Sequence, residues 1–380
     1  MLPDTPQNAR LVGRVWRPGI GPSVVILREG RVIDVTAATV SVADFLDDDP
    51  VGRFDALEGE DIGAPGDFVH APDAMGAGSD RPCLLAPCDF QAIKACGVTF
   101  ARSMVERVID ERTSGDPARA DELRRRIGAL IGDSLASIEA GSDKARHVKE
   151  ELIAEGLWSQ YLEVGIGPDA EVFTKSQVMS SVGHGAHVGV NRISAWNNPE
   201  PEVVVAVDSR GNIRGASLGN DVNLRDVEGR SALLLGKAKD NNASCAIGPF
   251  IRLFDDGFTL ADLERAELAM KVTGTDGFTM SGHSNMAEIS RSPAELVAQT
   301  INASHQYPDG FVLFLGTMFA PTQDRGRKGS GFTHKPGDVV EISTPLLGTL
   351  VNTVVHSDEA RPWTFGTRAL MRNLAGRGLL

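Results

Sequence analysis

The stretch at residues 200–221, EPEVVVAVDSRGNIRGASLGND, limits the possible folds of this chain more than any other. Two apolar runs flank SRGN at 209–212, which reads as the loop of a hairpin. Taking 202–208 and 213–219 as strands pairs Asp208 with Ile213, and the same register sets Glu200 opposite Asp221. Side chains alternate faces along a strand, and directly opposed residues share a face about 5 Å apart. Glu200, Glu202 and Asp221 then converge. Carboxylates so placed repel one another, and one must take a proton or all must share a cation. Oxygen donors without His or Cys suit a hard divalent ion, Mg²⁺ with Mn²⁺ as a substitute, whereas Ca²⁺ takes more protein oxygens. A solvated strand face is the competing reading of the Glu-x-Glu pair, and a one-residue change of turn would flip Asp221 to the other face.

A chain of 380 residues, 42% hydrophobic, has enough material for two domains around a sizeable core. Its net charge of -13 and pI near 5.1, with no basic stripe, argue against nucleic-acid partners. The N-terminus has no apolar run of signal length, and no span approaches the ~18 apolar residues that cross a bilayer. The expectation is a soluble, cytoplasmic protein with no membrane partner. Cys83, Cys88, Cys96 and Cys245 form no CxxC pair and are expected as reduced, buried thiols, not zinc ligands.

Residues 11–36 read as strands, with Glu29-Gly30 as a hairpin turn. From about Asp47 to Asp80 the sequence fills with Asp, Gly and Pro, and a boundary is expected near Arg81. Residues 101–160 have helical texture, with Asp116-Pro117 and Ser142-Asp143 as helix starts. From Glu171 onward short strands dominate (EVFTK, EVVVAVD, IRGASLG, FVLFLG, DVVEIST, TLVNTVV), with helices near 223–235, 259–266 and 292–304. The fold class is α+β with a β core.

Together, NNPEPEVVVAVD, GNDVNLRD, a lysine ahead of GPF, FLGT and KPGDVVEIST resemble the fumarylacetoacetate hydrolase superfamily, from about Pro87 to Leu380. The resemblance implies a mixed β-roll or sandwich catalytic domain over 81–380, with a helical insertion at about 101–160 and a small β-rich N-terminal domain over 1–80. It implies Mg²⁺ on Glu200, Glu202 and Asp221. It places Arg225, Gly316 and Thr317 at the substrate, Thr317 against its carboxylate. Lys239, nine residues before Gly248, is the family's lysine. Hydrolase members use a His–Glu dyad to activate water; here Ser103 stands in the His place, expected at the substrate, and Glu106 is retained as a catalytic candidate, and the missing imidazole argues against water-activated C–C cleavage. The chain is most similar to family members that dehydrate 2-keto-3-deoxy sugar acids. In these a glutamate of the strand before the metal motif acts with the lysine, and that glutamate maps to Glu171, 29 residues before Glu200.

The reaction implied is conversion of 2-keto-3-deoxy-D-xylonate or a related pentonate to 2,5-dioxopentanoate, by a homodimer or homotetramer. An acylpyruvate hydrolase or 2-oxo-diacid decarboxylase on the same fold is the alternative, and a non-catalytic metal-containing binding protein is a third reading. His184 and His187 in GHGAH lack the frame of a metal site and are expected to be structural or exposed, as are the loop residues His283 and His334.

Overall fold

In the computed structural model, the described residues are all except 101–103, 105–107, 109–137, 155, 157, 320, 322 and 327–330. Ser103 and Glu106 lie outside them, as does the expected helix start at Asp116-Pro117. The first strands are β1 (Leu11–Arg17), β2 (Gly21–Arg28), β3 (Arg31–Asp34), β4 (Glu60–Gly63), β5 (Cys83–Leu85) and β6 (Ala92–Gly97). Next come β7 (Glu171–Ser176), β8 (His187–Val190), β9 (Pro201–Val207), β10 (Ile213–Asp221) and β11 (Cys245–Leu253). The last are β12 (Glu267–Thr273), β13 (Thr279–Asn285), β14 (Phe311–Phe314), β15 (Val339–Thr344) and β16 (Gly348–His356). They form an 11-stranded sheet, ordered β4-β3-β2-β1-β11-β10-β9-β14-β6-β7 with β5 beside β1, and a 5-stranded sheet, β13-β12-β15-β16-β8. The α+β class and the packed mixed sheets agree with the sequence expectation.

β9 shows why the apolar run is continuous, not alternating. Val203, Val205 and Val207 face the smaller sheet and pack with Met270, Val340, Ile342 and Leu350. Val204 and Ala206 face the other way, toward Val12, Ile26, Phe314 and the helix Val42–Asp47 with its Phe45 and Leu46. A strand buried on both faces gains roughly 1.5–3 kcal/mol per large apolar side chain and has no polar face to show.

The expected hairpin at Glu29-Gly30 is present, and both residues have positive φ, 51° and 75°. β1 also pairs with β11, Leu11 opposite Arg252 and Val12 opposite Ile251, so the strands of residues 1–80 continue the large sheet. Between 47 and 80, where a loop is expected, the chain adds β4 and short 3-10 turns. In the helical insertion Ser142 caps as expected, its Oγ accepting from the Ala145 N–H at 3.1 Å. The stretch after it divides into two helices, Asp143–Ala154 and Gln160–Ile166. Gly156, at φ +67°, ends the first, and the Ser159 hydroxyl caps the second. Arg291, fully buried, fixes this insertion to the body by donating to the carbonyls of Val164 (3.0 Å) and Gly167 (2.5 Å).

Candidate active site

The site grows out of the hairpin β9–β10. Gly219 pairs with Glu202 and Asn220 with Pro201, and the Asp221 N–H donates to the Glu200 carbonyl at 3.0 Å. Glu200 and Asp221 are therefore opposite each other, as the register argument requires. The near end differs from expectation: Ile213 pairs with Val207, not Asp208, because a bulge between Ile213 and Gly215 absorbs one residue. Asp208 instead caps the turn, accepting from Arg210 N–H (2.9 Å), Asn212 N–H (2.8 Å) and Arg214 Nε (2.8 Å). Burial works to raise its pKa, but the Asn212 and Arg210 hydrogen bonds and the Arg214 charge outweigh it and the net shift is downward.

Glu200, Glu202 and Asp221 are buried, with one oxygen from each lying within 4.8 Å of the others. Glu202 receives the Gly316 N–H at 2.7 Å and the Thr317 hydroxyl at 3.2 Å. Gly316 has φ +105°, and a Cβ there would sit 2.0 Å from Thr99 Oγ1, so only glycine brings this N–H onto the carboxylate. The structure thus sets Gly316 and Thr317 against a metal-ligand candidate. Lys239 Nζ lies 2.5 Å from Glu200 Oε2 and 2.9 Å from Asp221 Oδ2. The other Glu200 oxygen accepts from Asn223 Nδ2 at 3.0 Å, and that amide also reaches Glu228 Oε2 at 2.6 Å.

Two buried ammonium groups, Lys239 and Lys175, face three buried carboxylates, so one negative charge is left over. Glu202 registers that excess: burial pushes its pKa well above the usual carboxylate range, and the charges of Asp221 and Glu200 push the same way. An all-oxygen donor set with surplus negative charge fits a hard divalent cation, which would favour the ionised form of Glu202.

Glu171 and Phe173 alternate along β7 and share one face, and Lys175 follows at a bulge, where Thr174 pairs with Lys94 and Ser176 with Ile93. Lys239 Nζ stands 5.9 Å from the Phe173 ring centroid. The Glu171 carboxylate folds back over its partner Gly97, where a Cβ would meet Glu171 Oε2 at 1.8 Å. Arg225 opens the short helix Arg225–Glu228, lies 4.2 Å over the Trp196 ring and donates to the Pro321 carbonyl at 3.4 Å. Glu200, Glu202, Asp221, Lys239, Gly316 and Thr317 thus form one contact cluster, with Glu171 on β7, the strand that also carries Lys175.

The sequence reading missed Lys175, Asn223 and Glu228. For Lys175 alternation gave no signal, since a bulge in the β6–β7 ladder falls at this residue. His184 is buried and its Nδ1 accepts from the Val351 N–H at 3.2 Å. His334 is buried against Asp338 at 3.2 Å, and His283 is exposed. All four cysteines are free and buried. Among the described residues no helix is long and apolar enough to cross a membrane.

Residues 167–355, which include every strand from β7 to β15 and most of β16, match the family described as fumarylacetoacetate (FAA) hydrolase C-terminal. The chain belongs to the fumarylacetoacetate hydrolase superfamily. Among curated proteins of this superfamily it is 32% identical over 184 residues to a 2-dehydro-3-deoxy-D-arabinonate dehydratase of Saccharolobus solfataricus, covering 48% of this chain and 58% of that protein. That match spans less than two thirds of the relative's length. A probable 2-keto-3-deoxyxylonate dehydratase of Haloferax volcanii is 29% identical over 268 residues, covering 64% of this chain and 89% of that one. Among solved structures, a 2-keto-3-deoxy-D-arabinonate dehydratase complexed with magnesium and 2,5-dioxopentanoate superposes with a TM-score of 0.60 at 20% identity, over 91% of this chain and 99% of that chain. At that identity the superposition speaks for the fold.

Proposed function

We propose that this protein is a divalent-metal-dependent dehydratase of 2-keto-3-deoxy-pentonates, forming 2,5-dioxopentanoate. The observation that carries the reading is the Lys239 ammonium bonded to two of three buried carboxylates, with a further carboxylic acid, Glu171, on the strand packed beside it. The dehydratase names of the two curated relatives support the same class.

Glu200, Glu202 and Asp221 would hold the cation, which polarises a 2-oxo acid and stabilises the negative charge that develops when C3 loses a proton. Lys239, as the free amine, takes the C3 proton. The ammonium bonded to Glu200 and Asp221 would give up its proton once a cation takes over those carboxylates, since a neighbouring positive charge favours the neutral amine. Glu171, protonated, gives its proton to the C4 hydroxyl, which departs as water while the C3–C4 double bond forms. A proton then moves from C5 to C3, giving the C4–C5 enol, and the enol becomes the aldehyde. The net change is loss of one water. Arg225, held flat by Trp196, supplies a fixed cation for the substrate carboxylate, while Gly316 and Thr317 orient Glu202.

The test is turnover of 2-keto-3-deoxy-D-xylonate and of the C4 epimer, followed by a semialdehyde dehydrogenase coupled to NAD⁺ reduction. Activity abolished by EDTA and restored by Mg²⁺ or Mn²⁺ is expected. A folded, metal-loaded protein inactive on both would sink the proposal, and turnover of acylpyruvates or oxaloacetate in its place would move the assignment to C–C cleavage.

A further inference from the structure

Lys175 is fully buried, and its ammonium is surrounded by oxygen. Asp221 Oδ1 lies 2.9 Å away. The ammonium also donates to the carbonyl of Val222 at 3.3 Å, to the Ser244 hydroxyl at 3.3 Å and to the carbonyl of Lys239. These partners come from three separate places: the end of β10, the C-terminal end of the helix Leu235–Lys239, and the residue before β11. Lys175 itself belongs to β7, the strand of Glu171. Ser244 completes the tie, since its hydroxyl also donates to the Lys239 carbonyl at 2.7 Å.

Removing an ammonium from water is costly, and a methionine of similar length would fill the same channel without that cost. The charge must therefore contribute something that filling space does not. Its geometry shows what. The Asp221 carboxylate stands between two cations, with Oδ1 ion-paired to Lys175 and Oδ2 to Lys239, an arrangement that sets its orientation toward the other carboxylates. The same ammonium ties the main chain of Lys239 to β7, the strand that carries Glu171.

We propose that Lys175 is a positioning residue that locks the metal-ligand candidate Asp221 and the proton-transfer pair Lys239 and Glu171 in register. This inference rests on the dehydratase reading for its kinetic consequence, and on geometry alone for its metal-binding consequence. The experiment compares wild type, Lys175→Met, Lys175→Ala and Ser244→Ala by three readouts: Mn²⁺ affinity by EPR titration, kcat and KM on 2-keto-3-deoxy-D-xylonate, and thermal melting. Lys175→Met is expected to bind Mn²⁺ about tenfold more weakly. Its kcat should fall about 100-fold with KM changed by less than about threefold, since misplacement of the reacting groups, not loss of substrate contacts, is the defect. Propylammonium, which restores the missing cation and stem, should recover part of kcat in Lys175→Ala. Ser244→Ala should show the same pattern at about a tenth of the size.

A purely space-filling lysine predicts a lower melting temperature with Mn²⁺ affinity and kcat unchanged at a temperature where the variant is folded, and that result overturns the proposal. If Lys175→Met does not fold, unchanged kcat and Mn²⁺ affinity in Ser244→Ala overturn it. An inactive wild type would remove the dehydratase reading alone, and the Mn²⁺ titrations would still decide the role of Lys175.

Discussion

Lys239 and Glu171 enter the site differently. Lys239 is in direct contact with the carboxylates, whereas Glu171 stands on β7, where it opposes Gly97 of β6. Neither is a metal-ligand candidate, so their removal should separate chemistry from cation binding. Lys239→Met and Glu171→Gln are each expected to lower kcat by about 10²–10⁴-fold, the usual range for a positioned acid or base. Mn²⁺ should still bind in both variants. EPR titration beside steady-state kinetics checks this, and wild-type turnover in either variant removes that residue from the mechanism. By contrast Glu202→Gln should abolish Mn²⁺ binding and activity together, because it alters a member of the carboxylate cluster itself.

At the scale of elements, β6 and β7 meet where Gly97 opposes Glu171. A methyl group there would fall 1.8 Å from Glu171 Oε2, but the obstructed atom is the end of a flexible side chain, so the backbone need not move. Gly97→Ala should therefore change the melting free energy by less than about 1 kcal/mol yet displace the carboxylate and lower kcat at least tenfold. Unaltered kcat would show that Glu171 does not act from this position. The sequence was informative about these elements to the extent that a single periodicity governed them. Glu200, Glu202 and Asp221 were legible because alternation and one turn sufficed, and the bulge near Arg214 spared the far end of the ladder. Asp208 was misplaced because nothing in SRGN announces that bulge. β11 was absent from the expected strands because burial of all its residues erases alternation and Gly248-Pro249 reads as a turn. Lys239 lies on a short helix with no period of its own and was found through the family resemblance, not from its neighbours.

For the molecule as a whole, burial of His184 ties stability to pH. Burial lowers its pKa from 6.5 to about 4, with the positive chain terminus adding to the effect. Above pH 6.5 the imidazole is neutral in both folded and unfolded chains and the linkage vanishes. As pH falls from 6.5 toward 4 the unfolded chain takes a proton that the folded one refuses, so stability declines over that window, by about 2 kcal/mol between pH 7 and pH 5. His184→Asn keeps an acceptor for the Val351 N–H and has no proton to take. Denaturant unfolding at a series of pH values should show a shallower acid decline in that variant, and identical slopes would mean His184 does not titrate as its surroundings require.

The pairing of β1 with β11 has a consequence for how the chain behaves when incomplete. β11 lies beside β10, which carries Asp221, and the C-terminal end of its other edge is covered by a strand made more than two hundred residues earlier. A ribosome therefore releases the cover first and the strand it protects much later, and β1–β3 must wait as an unsupported meander until their neighbour arrives. Proteolytic loss of the first 34 residues would leave the backbone groups of β11 at Ile251–Leu253 without their partners, an edge to which other chains could add. The N-terminal strands thus cover the end of a buried strand that would otherwise present a free edge.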